Sequence, residues 1–297
     1  MKNKKTFLAL MLLTMATDLF AQDYPSLRDI GVVPAVSFDQ SNKMFFYSYT
    51  LTNESSNKGD LWIFDIDISI LQNSLLYDTT GLRFNSSFIE GHFRRRYPAL
   101  DGKVVPVGVP RLPRFWSALY GNDLMVSLSA DTLLLRPGET VSALVVMSRG
   151  LPGIRKFVVR PDFNEDLLFP NIEDTTSTLT FAQMDSIREA GNFYGMTVGP
   201  SAPPMSFSPL AWVDTLISYK HRAFALGWIK NQGIVQSLDA KLENAKAQLQ
   251  RGNKTSARNI LQTVINEVEA LNDQGNQLTS EAYALLKYNA EFLLSKL

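Results

Sequence analysis

The hydrophobic rhythm of the chain changes once along its length. Between residues 30 and 160, apolar residues alternate with polar ones or gather in short β-branched runs; from Ser208 onward they recur at helical spacing. The first rhythm is that of strands, with a period of two, and the second that of helices. Lys43 to Thr52 (KMFFYSYTLT) is aromatic and β-branched, and the turn-forming residues Asn53 to Asp60 follow it. Trp62, Phe64, Ile66, Ile68 and Ile70 then alternate with Asp65, Asp67 and Ser69, which predicts a strand with one apolar face and one solvated face. Further strands are predicted at 32–38, 103–108, 123–129, 132–136, 140–148 and 154–160, with Arg136-Pro137-Gly138-Glu139 as a turn between two of them. Short strands separated by turn signals predict an immunoglobulin-like β-sandwich, over residues 22–175.

Beyond it the alternation loosens. Phe181 to Ala190 suits a short helix, and Gly199 to Pro209 (GPSAPPMSFSP) reads as a proline-stiffened linker, so residues 176–207 are expected to connect two domains. Ser208 followed by Pro209 is an N-cap with proline at the first helical position, and Leu210, Val213, Ile217, Phe224 and Trp228 share a face over about 209–230. Val235, Leu238, Leu242, Ala245 and Leu249 make the next stripe, ended by Gly252. Asn253 is the expected N-cap of a third helix, with Ala257, Ile260, Leu261, Val264, Ile265, Val268 and Leu271 inward. Thr279 is the expected cap of a fourth, whose seam is Ala282, Leu286, Ala290, Leu293 and Leu297. Short connections predict an antiparallel helical bundle over 208–297. The fold class expected is therefore multidomain β + α: a sandwich followed by a small bundle.

The stretch GIVQSLDAKLENAKAQLQRGNKTSARNILQTVINEVEAL, followed by LTSEAYALLKYNAEFL, resembles the FIMAH domain. That family is a small helical module found near the C-termini of secreted bacterial proteins, often attached to enzymes or surface proteins. The resemblance implies a role in carbohydrate or surface association. It brings no catalytic residues, and it covers only the C-terminal part of the chain.

Composition adds compartment. The chain has 297 residues, and its 45% hydrophobic content supports a packed core. A net charge of zero removes the usual electrostatic footprint of nucleic-acid binding. Lys2, Lys4 and Lys5 precede the apolar run Phe7 to Met15, which is too short to span a bilayer, so residues 1–21 read as a signal peptide cut after Ala21. No later run is long and apolar enough to suggest a membrane span in the mature chain. The chain has no cysteine, which excludes thiol chemistry, disulfides and an N-terminal lipidated cysteine. These features suit bacterial export to the periplasm, the cell surface or the medium. The Asn-x-Ser/Thr sequences at Asn53, Asn85 and Asn253 are then read as chance matches.

Candidate chemistry is sparse. The two histidines, His92 and His221, are far apart and neither has a partner one turn away, so neither a zinc site nor a nucleophile–histidine pair is readily built. Arg94, Arg95 and Arg96 form the one tight basic run, read as a solvated segment or a contact for phosphate or acidic glycan. Asp65 and Asp67 share a strand face and are candidate ligand-binding residues; as paired carboxylates they also offer an alternative reading as a glycosidase-like hydrolase. Asp65 and Asp67 could also bind calcium, and Asp162, Asn164, Asp166 and Glu173 fall at positions 1, 3, 5 and 12 of a calcium loop. Leu167 stands where such a loop needs glycine, and Pro170 stands at position 9. Trp116, Tyr283 and Tyr288 are candidate stacking residues for sugars. The expected function is non-enzymatic association of an exported protein with glycans, cell-envelope components or another exported protein. An assembly module is a further alternative.

Overall fold

A computed structural model describes residues 24–70, 103–120, 124–163, 180–203, 206–273 and 277–297. Its strands are β1 (Ile30–Asp39), β2 (Met44–Asn53), β3 (Leu61–Asp67), β4 (Val107–Arg111), β5 (Trp116–Tyr120), β6 (Met125–Ala130), β7 (Thr140–Ser148), β8 (Leu151–Pro161) and β9 (Phe193–Ser201). Its helices are α1 (Phe181–Gly191), α2 (Pro209–Ala225), α3 (Gln232–Gln250), α4 (Lys254–Asp273) and α5 (Ser280–Lys296). The strands form two antiparallel sheets, ordered β1-β2-β7-β4 and β5-β6-β3-β8-β9.

The two sheets make a β-sandwich. Taken as strands A to G, β1-β2-β7-β4 and β3-β8-β9 reproduce the ABED and CFG sheets of an immunoglobulin fold. The β5–β6 hairpin widens the second sheet beyond β3. Strand β2 buries every second residue, so Phe45, Tyr47, Tyr49 and Leu51 face the core. Phe64, Ile66, Val126, Leu128, Phe157 and Val159 meet them from the other sheet, with the rings of Tyr49 and Phe64 edge-on at 5.3 Å. The buried phenols are hydrogen-bonded, Tyr47 donating to the Gly150 carbonyl at 2.7 Å and Tyr49 to that of Val198 at 3.0 Å.

Three strand expectations need correction. Residues 132–136 do not form a strand; Leu135 only bridges Leu61. Strand β5 lies where no strand was expected. Strand β9 occupies much of the predicted linker. Its glycines and proline read as breakers, but they answer to packing: a Cβ on Gly195 would lie 2.3 Å from Cζ of Phe157, and Pro200 falls near the end of an edge strand. The sandwich therefore continues to Ser201, and helix α1 precedes its last strand. Thr180 and Gln183 close a capping box at the start of α1.

The helical bundle forms where the periodicity places it, but α2 buries Trp212, Leu216, Tyr219, Lys220 and Ala223 beside Val213, and the expected Leu210, Ile217 and Phe224 are only half-buried. Ser208 caps α2 by accepting from the Ala211 amide, with Pro209 in the first turn. Asn231 caps α3 by accepting from the Gly233 amide at 2.7 Å. Thr279 stands at the N-cap of α5, but its hydroxyl makes no capping bond. Asn253, expected to cap α4, instead turns its side-chain amide to Gln248 Oε1 at 3.1 Å. The loops at one end of the bundle are tied together: the Thr279 amide donates to the Trp228 carbonyl at 2.9 Å, and the Lys230 amide to that of Gln277 at 3.0 Å.

The bundle is not tethered at a distance. Helix α5 packs against α2 and α4 and also against β1, β8 and β9. The buried side chains of sandwich and bundle join in one continuous hydrophobic cluster. Phe207, just before α2, packs edge-on to Phe292 at 5.5 Å, so the end of the expected linker is part of that packing.

Candidate functional site

The aspartates of β3 are not a solvated pair. Asp65 is 1% and Asp67 6% exposed. The Arg160 guanidinium donates to Asp65 at 2.6 Å, and the Ser69 amide donates to Asp67 at 2.7 Å. Alternation correctly turns these side chains away from the sandwich core, but they sit on a central strand flanked by β6 and β8, where both are buried and bonded. A salt-bridged, buried Asp65 is poorly set to protonate or attack a glycosidic bond.

Trp62 departs from the predicted alternation in the opposite sense. The pairing of β3 with β8 shifts register between Leu61 and Ile63. Two residues therefore stand between the buried side chains of Leu61 and Phe64, and Trp62 is 42% exposed.

Trp116 is a strand residue whose side chain packs against the core, opposite the buried Ala130. Its neighbour Phe115 is the exposed ring, at 41%. Phe115 has φ +67°, a left-handed conformation unusual for an aromatic residue, and the Arg114 guanidinium lies 4.5 Å from its ring centre.

Tyr283 and Tyr288 are both already engaged. Their rings lie edge-on at 6.5 Å, and the Lys287 ammonium sits 6.0 Å and 5.2 Å from their centres. Lys287 is also paired with Glu291 at 2.7 Å and Glu269 at 3.2 Å. Burial pulls its ammonium down, but bonding to Glu291 and then Glu269 lifts it above the ordinary lysine range. Tyr288 further belongs to the seam between modules: it packs edge-on to Phe45 at 5.3 Å and donates to the Val36 carbonyl at 3.0 Å.

Of the calcium-loop candidates, Asp162 is half-buried on the sandwich. Burial, and then the neighbouring Asp60, raise its carboxyl above the ordinary value. Asn164, Asp166 and Glu173 lie outside the described residues, as do His92, Arg94, Arg95 and Arg96, the signal segment and Asn85. No cluster of three or more metal-ligating side chains occurs among the described residues. Asn53 is fully buried and donates to the Gly59 and Leu135 carbonyls at 3.0 Å and 2.8 Å, so its Asn-x-Ser sequence is a structural position.

One ionic group was missed in the sequence. Lys220, on α2, has a fully buried side chain and is ion-paired with Asp239 of α3; His221 Nε2 approaches the same carboxylate at 3.4 Å. Burial pushes the Lys220 ammonium down to about 8, while Glu243 acts in the other direction. Burial and then the Lys220 charge lower His221. A lysine at a buried helical position was the available signal, hidden because its neighbours in sequence, His221 and Arg222, are exposed.

The seam between the modules is polar at its centre. Asn289 of α5 is fully buried; its amide donates to the Pro152 carbonyl of β8 at 2.8 Å and to that of Leu285 at 2.7 Å. Its backbone carbonyl accepts from Trp212 Nε1 at 3.0 Å. Asn289 thus bonds with α2, α5 and the sandwich at once.

Sheet order and helix packing define a β-sandwich carrying a docked helical module. Residues 215–295, which hold most of that module, match the model of the FIMAH domain. A search of curated proteins found no match to the chain. No helix among the described residues is long and apolar enough to cross a membrane.

Proposed function

We propose that this is an exported bacterial protein that works by association, holding glycans, cell-envelope components or another exported protein. The observation that carries the reading is the FIMAH match at residues 215–295, on a module fixed to the sandwich through Asn289 and Tyr288. Such fixation suits a recognition unit whose two parts present a single surface, since little ordering entropy remains to be lost on binding. The basic-then-apolar N-terminal sequence and the absence of cysteine support export. The pairing of Asp65 with Arg160 removes support from the hydrolase alternative.

The test is retention of the mature chain, begun at Gln22, on bacterial envelope fractions and on a panel of polysaccharides. Retention on at least one is expected. Loss of all retention, with the protein folded by circular dichroism, would overturn the reading.

A further inference from the structure

Two exposed rings of the sandwich, Trp62 and Phe115, are held out by separate departures from regular backbone. Trp62 projects because β3 carries a bulge against β8. Phe115 projects from a residue with φ +67°. Large aromatic side chains ordinarily gain by leaving water. A left-handed backbone is unfavourable for an aromatic residue, and such outliers concentrate at sites of function. Both irregularities lie at the same end of the five-stranded sheet. Strands β5 and β3 are separated only by β6, so two strand spacings, about 10 Å, divide the position following Phe115 from that following Trp62.

The surface between them is polar and hydrogen-bonded. Ser117 donates to Asp131 at 2.6 Å and lies 3.1 Å from the Ser129 hydroxyl. The Asp131 amide is fixed to the Phe115 carbonyl at 2.7 Å. Ile63, paired with Ser129 on one side and Arg160 on the other, continues this row toward the Arg160–Asp65 ion pair. Arg114 stands over the Phe115 ring.

From this arrangement we infer that the end of the sheet bearing Trp62 and Phe115 is a carbohydrate-binding platform for a neutral polysaccharide. This rests on the association reading above and names its ligand class and site. A sugar ring has apolar C–H faces and a rim of hydroxyls. Exposed aromatic faces meet the first, and the Ser117–Asp131 pair and Arg114 meet the second. Charges of both signs stand together here, the exposed Asp131 against Arg114 and the ion-paired Arg160, which suits an uncharged chain better than a polyanion. Trp62 and Phe115 are the stacking residues.

The experiment is affinity electrophoresis of the full mature chain through gels containing laminarin, glucomannan, xylan or dextran, with heparin as the polyanion. Trp62→Ala and Phe115→Gly are run beside the unaltered protein. At least one neutral polysaccharide is expected to retard the protein, and each substitution to weaken that binding more than tenfold. Phe115→Gly also separates function from folding. Glycine adopts φ +67° without strain, so thermal stability should hold or rise while binding falls. Binding retained by both variants would overturn the inference and leave the association reading intact. Preference for heparin, or no retardation by any neutral polysaccharide while envelope fractions still retain the protein, would do the same. Failure on envelope fractions as well would remove both.

Discussion

The Tyr288 hydroxyl of the last helix donates to the Val36 carbonyl of the first strand at 3.0 Å, joining positions 252 residues apart. With the Asn289 amide on the Pro152 carbonyl, it ties the helical module to the sandwich through directed bonds as well as apolar packing. The two modules should therefore unfold together. Tyr288→Phe keeps the ring against Phe45 and removes one donor, so it should cost about 0.5–1.5 kcal/mol. Asn289→Ala strips the buried Pro152 and Leu285 carbonyls of that donor and should cost about 1–3 kcal/mol. Urea denaturation followed by both tryptophan fluorescence and far-ultraviolet circular dichroism is the measurement. Two separate transitions, with the sandwich indifferent to either substitution, would show that the seam does not couple the modules.

The Lys220–Asp239 pair should respond asymmetrically to loss of its members. The Lys220 side chain is fully buried, whereas that of Asp239 is 33% exposed and also has His221 beside it. Asp239→Ala leaves a buried ammonium without its carboxylate and should destabilise by about 3 kcal/mol or more. Lys220→Met leaves a carboxylate that still reaches water, so the change should lie within about 1 kcal/mol of zero. The pH dependence has a definite sign. Lys220 titrates at about 8 when folded, below its ordinary 10.5, so the unfolded chain binds more protons between those values. The cost of the buried charge is fully present below about 8 and is relieved as pH rises toward 10.5. Over that window the unaltered protein should gain stability relative to Lys220→Met, as read by urea midpoints at stepped pH. A flat difference would mean that the carboxylate holds Lys220 protonated throughout.

Periodicity made the helices legible because α3 and α4 each bury one face, and positions such as Leu238, Leu242, Val264 and Val268 answer to that alone. Helix α5 was harder. It is buried on two faces, so the seam of Ala282, Leu286 and Ala290 was readable while Leu285 and Asn289, which serve the other packing surface, were not. The sandwich was readable where strands alternate cleanly, as in β2. It failed at Trp62, where a bulge reverses the expected facing, and at β9, where Gly195 reflects a long-range contact with Phe157. The aromatic platform shares that cause. Neither the bulge nor the backbone angle of Phe115 is encoded in local spacing, so the sequence pointed to Trp116 when its neighbour carries the exposed ring.

Gly195 tests the reassignment of the linker to the sheet. If 193–201 were a loose connection, alanine would be harmless there or stabilising. In strand β9 its Cβ would meet the Phe157 ring, and the overpacking should cost about 1–3 kcal/mol. Combining Gly195→Ala with Phe157→Leu should recover part of that loss, because the two sites share one volume. Thermal melts of the single and double variants check it. Additive losses would place the strain elsewhere.

The hairpin between β1 and β2 carries a carboxylate that its own turn should hold ionised. The Ser41 hydroxyl and the Asn42 amide each donate to Asp39 at 2.6 Å, and the Ser41 backbone amide donates at 2.8 Å. These bonds, the Ser41 hydroxyl foremost, lower the Asp39 pKa from 3.8 to about 2. Because the folded value is depressed, the contribution to stability is fully present above 3.8 and is lost as pH falls through about 2. The side-chain carboxyl carbon of Asp39, followed by nuclear magnetic resonance, should titrate near 2 and move back toward 3.8 in Ser41→Ala. Asn42→Ala should give a smaller return. An unshifted midpoint in the unaltered protein would mean that the turn is open in solution, and with it the register that pairs Phe38 with Phe45 would lose its anchor.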